Sequence, residues 1–123
     1  MVQERAQVIK HQGKEVVCID LTQLNSNSDI SIVLDEAAML IRTGPPRSKL
    51  IMTDVTKTKY TKETAELMKD FASKNTEYVK ASAVVGAEGV QLILLQTIIF
   101  LTRREVKTFD DREAALDWLV SVA

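Results

Sequence analysis

At 123 residues, 46% hydrophobic and 27% charged, the chain has the size and ordinary composition to bury one core without staples. A net charge of −1 gives no broad field for nucleic acid or anionic lipid, and a single cysteine excludes an internal disulfide. No run reaches the roughly 20 apolar residues of a membrane span, and the opening MVQERAQVIK has no apolar secretory core; a cytoplasmic single domain over residues 1–123, without nucleic acid as a partner, is expected.

In chain order, Ala6–Lys10 and Lys14–Asp20 are β-rich runs around His11-Gln12-Gly13, a turn signal that predicts a hairpin. Asn25-Ser26-Asn27-Ser28 closes this unit and offers a helix cap at Ser28. Ile30, Val33, Leu34, Ala37, Ala38 and Ile41 recur at helical spacing, and Gly44-Pro45-Pro46 stops that helix. Lys49–Val55 is a short apolar run suited to a strand covered on both faces. Thr61 caps a second helix with a stripe of Ala65, Met68, Phe71 and Ala72. Tyr78–Val85 predicts a strand ended by Gly86, and Val106–Phe109 a last one. Asp110 and Glu113 have the spacing of a capping box ahead of a final helix through Ala115, Trp118, Leu119 and Val122.

The element between those last strands, about Ala87 to Thr102, is unusual. Val90, Ile93, Leu94, Thr97, Phe100 and Leu101 form the expected core face, yet Leu92, Leu95 and Ile99 make a second apolar stripe beside them. A helix that is apolar all round is either buried or meets something else. Internal packing, a homodimer contact and a lipid-like ligand or membrane surface all remain open for Leu92, Leu95 and Ile99, with Gln96 beside them. Together the elements read β-β-α-β-α-β-α-β-α, an α/β domain with a mostly parallel sheet and an N-terminal hairpin.

HQGKEVVCIDLTQL, SKLIMTDVT, YVKASAVVGAEGVQ and FDDREAALDWLV resemble, in this order, the SpoIIAA-like branch of the STAS (sulphate transporter and anti-sigma-factor antagonist) fold family. The resemblance implies helices packed on a sheet, as in anti-sigma-factor antagonists and the structurally similar CRAL-TRIO lipid-transfer domains, and no enzymatic activity or cofactor. The antagonists carry a phosphorylatable serine in an Asp-Ser-Ser-Gly turn after the central strand. Here that region is Asp54–Lys62, without that motif, and Thr58 and Thr61 are the nearest candidate phospho-acceptors. The CRAL-TRIO comparison implies an apolar cavity gated by an amphipathic helix, for which the third helix is the candidate.

Other residues offer weaker chemistry. Lys57, Lys59 and Lys62 flank the start of the second helix, where N–H groups and the dipole attract a phosphate or lipid headgroup; a solvated basic loop is the plainer reading. Asp20, Asp54 and Asp110 fall near carboxyl ends of strands, where α/β sheets bind ligands. They either line a rim fit for a hard cation or start turns and cap helices, and no metal is expected. His11 lies alone in its turn, Cys18 reads as a small buried hydrophobe, and Trp118 as packing. The leading expectation is a non-enzymatic module for an apolar or lipid-like ligand, with peripheral membrane contact, whose third helix swings outward to admit its ligand. The alternative is a regulatory domain that docks a protein partner and is switched at Thr58 or Thr61.

Overall fold

The chain enters through a hairpin. In the computed structural model, which describes residues 4–123, β1 (Ala6–His11) and β2 (Lys14–Asp20) pair antiparallel from Ala6↔Ile19 to His11↔Lys14. Gln12 and Gly13 form the link with φ of 51° and 84°. Two successive positive φ values give a tight loop the twist of the strands it joins, and Gly13 adopts one without strain.

From β2 onward the sheet is parallel. β2 pairs with β3 (Lys49–Asp54), β3 with β4 (Val79–Val85) and β4 with β5 (Glu105–Phe109), so the strands stand in chain order. Each step advances one place in the same direction, and right-handed crossovers then put the connecting helices on one face. Those helices are α1 (Asn27–Ile41), α2 (Lys62–Asn75) and α3 (Val90–Thr102). A 3-10 turn, Thr76–Tyr78, leads from α2 into β4. After the edge strand β5, α4 (Arg112–Val122) returns beneath the opposite face and packs on β3 and β4.

Both faces of the central strands are therefore covered, which is why Lys49–Asp54 reads as an unbroken apolar run. Val17, Ile19, Ile51 and Val84 meet the α1 side, whereas Val16, Leu50, Met52, Ala81, Ala83 and Val85 meet Ala115 and Leu119 of α4. Val79 belongs to the first group and Ala81 to the second, although strict alternation would put them together. The register explains it: Lys49 faces Val79 and Leu50 faces Ala81, so Lys80 is an extra residue that flips the rest of β4. Gly86 ends β4 at φ 79°, and a Cβ there would collide with Thr56 Oγ1.

Three expectations need correction. The cap of α1 is Ser26, whose Oγ accepts from the Asp29 amide at 3.3 Å, rather than Ser28. Starting two residues earlier lets Asn27 Oδ1 accept from the Thr64 hydroxyl at 2.8 Å, which ties α1 to α2. The cap of α4 is Asp111, accepting from the Ala114 amide at 2.8 Å, so Asp110 and Glu113 form no capping box. That shift puts Arg112 in the first turn, from which it reaches two strand ends. Finally, α3 is rotated from its expected setting. Gln91, Leu94, Leu95 and Ile98 turn inward, while Val90, Ile93, Phe100 and Leu101 of the expected core face are exposed. A helix apolar on every side has almost no preferred face, so periodicity could not orient it; its linkers do, from Gly89 at φ 54° to the left-handed Arg103.

Candidate functional site

Between α2, α3 and the sheet lies a cavity. The sheet contributes Ile51, Thr53, Ser82, Val84 and Val106, α2 contributes Thr64, Met68 and Phe71, and α3 contributes Gln91, Leu94, Leu95 and Ile98. The loop after β3 closes one end with Thr58, Lys59 and Tyr60. The volume is about 70 Å³, whereas an apolar cavity of ~150 Å³ is what accommodates benzene. Anything longer than a few carbon atoms therefore enters only when α3 shifts.

The helix that would have to shift is lightly held. Ile98 is the one buried residue of α3, and Gln91 reaches the Val55 and Thr58 carbonyls only at 3.5 Å, the outer limit of a hydrogen bond. Few buried apolar contacts place an element at the low end of local stability. Outside, Phe100 is 80% exposed, Ile93 64% and Leu101 61%, an apolar surface of a kind that marks interaction sites when continuous.

One buried charged group lies in the largely apolar wall, apart from the exposed Lys59. Arg104 lines the cavity, and its Nε is buried without a hydrogen-bond partner among the described residues. Burial, with no counter-charge to oppose it, pushes the guanidinium down to about 10, so it remains charged at neutral pH. Arg104 was not among the candidates expected from the sequence. The signal was its period-2 spacing with Val106, which carries the inward face of β5 back by one more position.

The expected contact residues separate. Leu95 lines the cavity, Ile99 is half-buried, and Leu92 and Gln96 are exposed. Of the lysines, Lys59 lines the cavity, while Lys57, at φ 56°, and Lys62 are exposed. The Thr58 hydroxyl donates to the Leu21 carbonyl at 2.6 Å, and Thr61 caps α2 by accepting from the Thr64 amide at 3.1 Å.

The rim carboxylates are occupied by an arginine instead of forming an open cation site. Asp20 and Asp54 are register partners, and each accepts from the threonine two residues on: Thr22 and Thr56, hydroxyls at 2.6 Å and amides at 3.0 Å. Arg112 bridges them, Nε to Asp54 Oδ2 at 2.7 Å and a terminal nitrogen to Asp20 Oδ1 at 3.3 Å. Burial raises Asp20, but the Thr22 bonds and the charges of Arg112 and Arg5 outweigh it and leave its pKa below the ordinary value. Asp110 takes no part in these contacts. Elsewhere His11 Nε2 meets Asp117 Oδ1 at 2.6 Å, pinning the hairpin to α4. Burial beneath α4 pushes the Cys18 thiol from 9.0 to about 11, against a smaller pull from Arg112. Trp118 leans on Phe109 with ring centroids 5.7 Å apart.

No protein-family model matches the chain, nor does any curated protein sequence. Among solved structures, it is similar to an uncharacterized protein of the DUF3478 family with a SpoIIAA-like fold from Shewanella loihica PV-4. The two share 20% identity at a TM-score of 0.68, over 93% of this chain and 91% of that one. The chain has a SpoIIAA-like fold: one mostly parallel five-stranded sheet with an antiparallel N-terminal strand and four helices among the described residues.

Proposed function

We propose that the protein is a non-enzymatic binding module whose site is the cavity under α3, with an apolar small molecule as its ligand. The observation that carries this reading is the pairing of an apolar cavity with a cover helix that has one buried residue of its own. Binding rather than catalysis suits the wall: among the described residues, those lining the cavity include no acid, histidine or cysteine. In mechanism, α3 rests on the sheet when the cavity is empty and lifts at its Gln91 end, where the 3.5 Å contacts are easily given up. The ligand then replaces water-facing apolar surface with packed contacts at about 25 cal/mol per Å². Native mass spectrometry of the purified protein, before and after solvent stripping, tests this. A strippable adduct of small-molecule mass is expected; an adduct-free protein that also fails to take up added hexanol contradicts it.

A second reading rests on a separate observation. Thr61 caps the helix that follows the central strand β3, the place where the resemblance puts the regulatory hydroxyl of the antagonists. Phosphate there would sit on the N–H groups of the first turn of α2, beside Lys59 and Lys62, and would be stabilised by both. Incubation with host lysate and ATP, followed by phosphosite mapping, should then place phosphate on Thr61. An unmodified Thr61 and Thr58 would remove the switch.

A further inference from the structure

The floor of the cavity carries more polarity than an apolar ligand needs. Thr53 on β3 and Ser82 on β4 are 8% and 6% exposed and line the cavity, and no hydrogen bond joins either hydroxyl to another described residue. Ser82 pairs with Ile51 on one side and Val106 on the other, and Thr53 pairs with Val84. Thr53 is therefore a diagonal neighbour of Ser82. Arg104, the residue just before β5 and two positions before Val106, lines the same cavity. Diagonal positions on one face are within reach of long side chains. The three groups thus put polar atoms on the wall of one cavity, among them a guanidinium whose Nε has no partner among the described residues.

A buried donor left unpaired is costly, and a buried cation more so; Arg104 Nε is such a donor, and a ligand that supplies acceptors beside the two hydroxyls would pair it. The guanidinium fork and two hydroxyl donors match a carboxylate. A monoanion cancels the charge of Arg104 in the interior, since Lys59, the other cation of the lining, is exposed to solvent. We propose that the ligand is a small amphipathic monocarboxylic acid, its carboxylate received by Arg104, Ser82 and Thr53 and its apolar body held among Val84, Leu95, Ile98 and Val106. This rests on the cavity being a ligand site, and it moves the anionic head from the lysine loop to the interior.

Isothermal titration of the whole chain with hexanoate and with hexanol, its uncharged counterpart, separates the two claims. Wild-type protein should bind hexanoate at least about tenfold more tightly than hexanol, the range of a hydrogen bond to a charged group. Arg104→Met should erase that preference while its melting temperature stays at or above that of the wild type, because an unpaired buried charge has been removed; a purely structural arginine would lower it. Arg104→Lys should keep part of the preference, and Ser82→Ala should reduce it. Equal affinity for the two compounds in the wild type, or a preference that survives Arg104→Met, overturns the carboxylate assignment and leaves the apolar site standing. Absence of binding by both compounds overturns the site itself along with its ligand.

Discussion

At the scale of single residues, the polar groups of this protein divide into those whose bonds are complete and those whose bonds are open. Asp54 belongs to the first kind: at 6% exposure it accepts from Thr56 and from Arg112. Arg112→Ala should cost about 2 kcal/mol in urea unfolding, because it leaves a buried carboxylate short of a partner. The same variant tests the pH dependence. A carboxylate with a lowered folded pKa, as Asp20 has, stabilises the protein above its unfolded value, and that contribution is lost as pH falls through the folded value. Wild-type stability should therefore decline on acidification through the carboxylate range, and less of this decline should remain in Arg112→Ala. Cys18 behaves in the opposite sense. Its thiol is raised from 9.0 to about 11, so the unfolded chain loses its proton first and stability should fall between those two pH values. At pH 8 iodoacetamide should label the folded protein far more slowly than the urea-unfolded protein, since the thiolate is the reactive form; equal rates would show that the thiol is not shielded.

Among the elements, what could be read in advance followed from chemistry local to each segment. The hairpin was legible because Gly13 stands where a tight turn needs a positive φ, and α1 because Ile30, Val33, Leu34, Ala37 and Ile41 keep helical spacing and are all buried. Capping was legible only to within one or two residues, since Ser26 and Ser28, or Asp110 and Asp111, offer the same side chain to the same amide geometry; tertiary contacts, Asn27 to Thr64 and Arg112 to Asp54, made the choice. The unusual character of α3 was legible, but its orientation was not, because an all-apolar helix gives no face away. The cavity floor was hidden for another reason: Thr53 and Ser82 come onto one face only through sheet register, and Arg104 reaches the same cavity from the turn before β5. The rotated setting of α3 makes a direct prediction. Ile93→Glu with Phe100→Glu, both on the exposed face, should change stability by less than about 0.5 kcal/mol. Ile98→Glu, at 5% exposure, should cost more than about 3 kcal/mol by burying an unpaired charge. The reverse order in thermal unfolding would restore the setting that periodicity suggested.

At the scale of the whole molecule, the sequential strand order has a functional consequence. It gathers α1, α2 and α3 on one face and leaves the other to α4, so the two faces differ in tightness. The α4 side is close-packed, with Ala81, Ala83, Ala115 and Leu119 fully buried. The α2–α3 side holds a cavity. The fold thus has a firm base and a loose lid, and the proposed binding role belongs to the lid. Hydrogen exchange, read by mass spectrometry on the whole chain with and without hexanol, tests this most directly. In the free protein the amides of Val90–Thr102 should exchange much faster than those of α1 and α4, and added hexanol should slow them while leaving α4 unchanged. Exchange in α3 as slow as in α4, and unmoved by hexanol, would contradict the account.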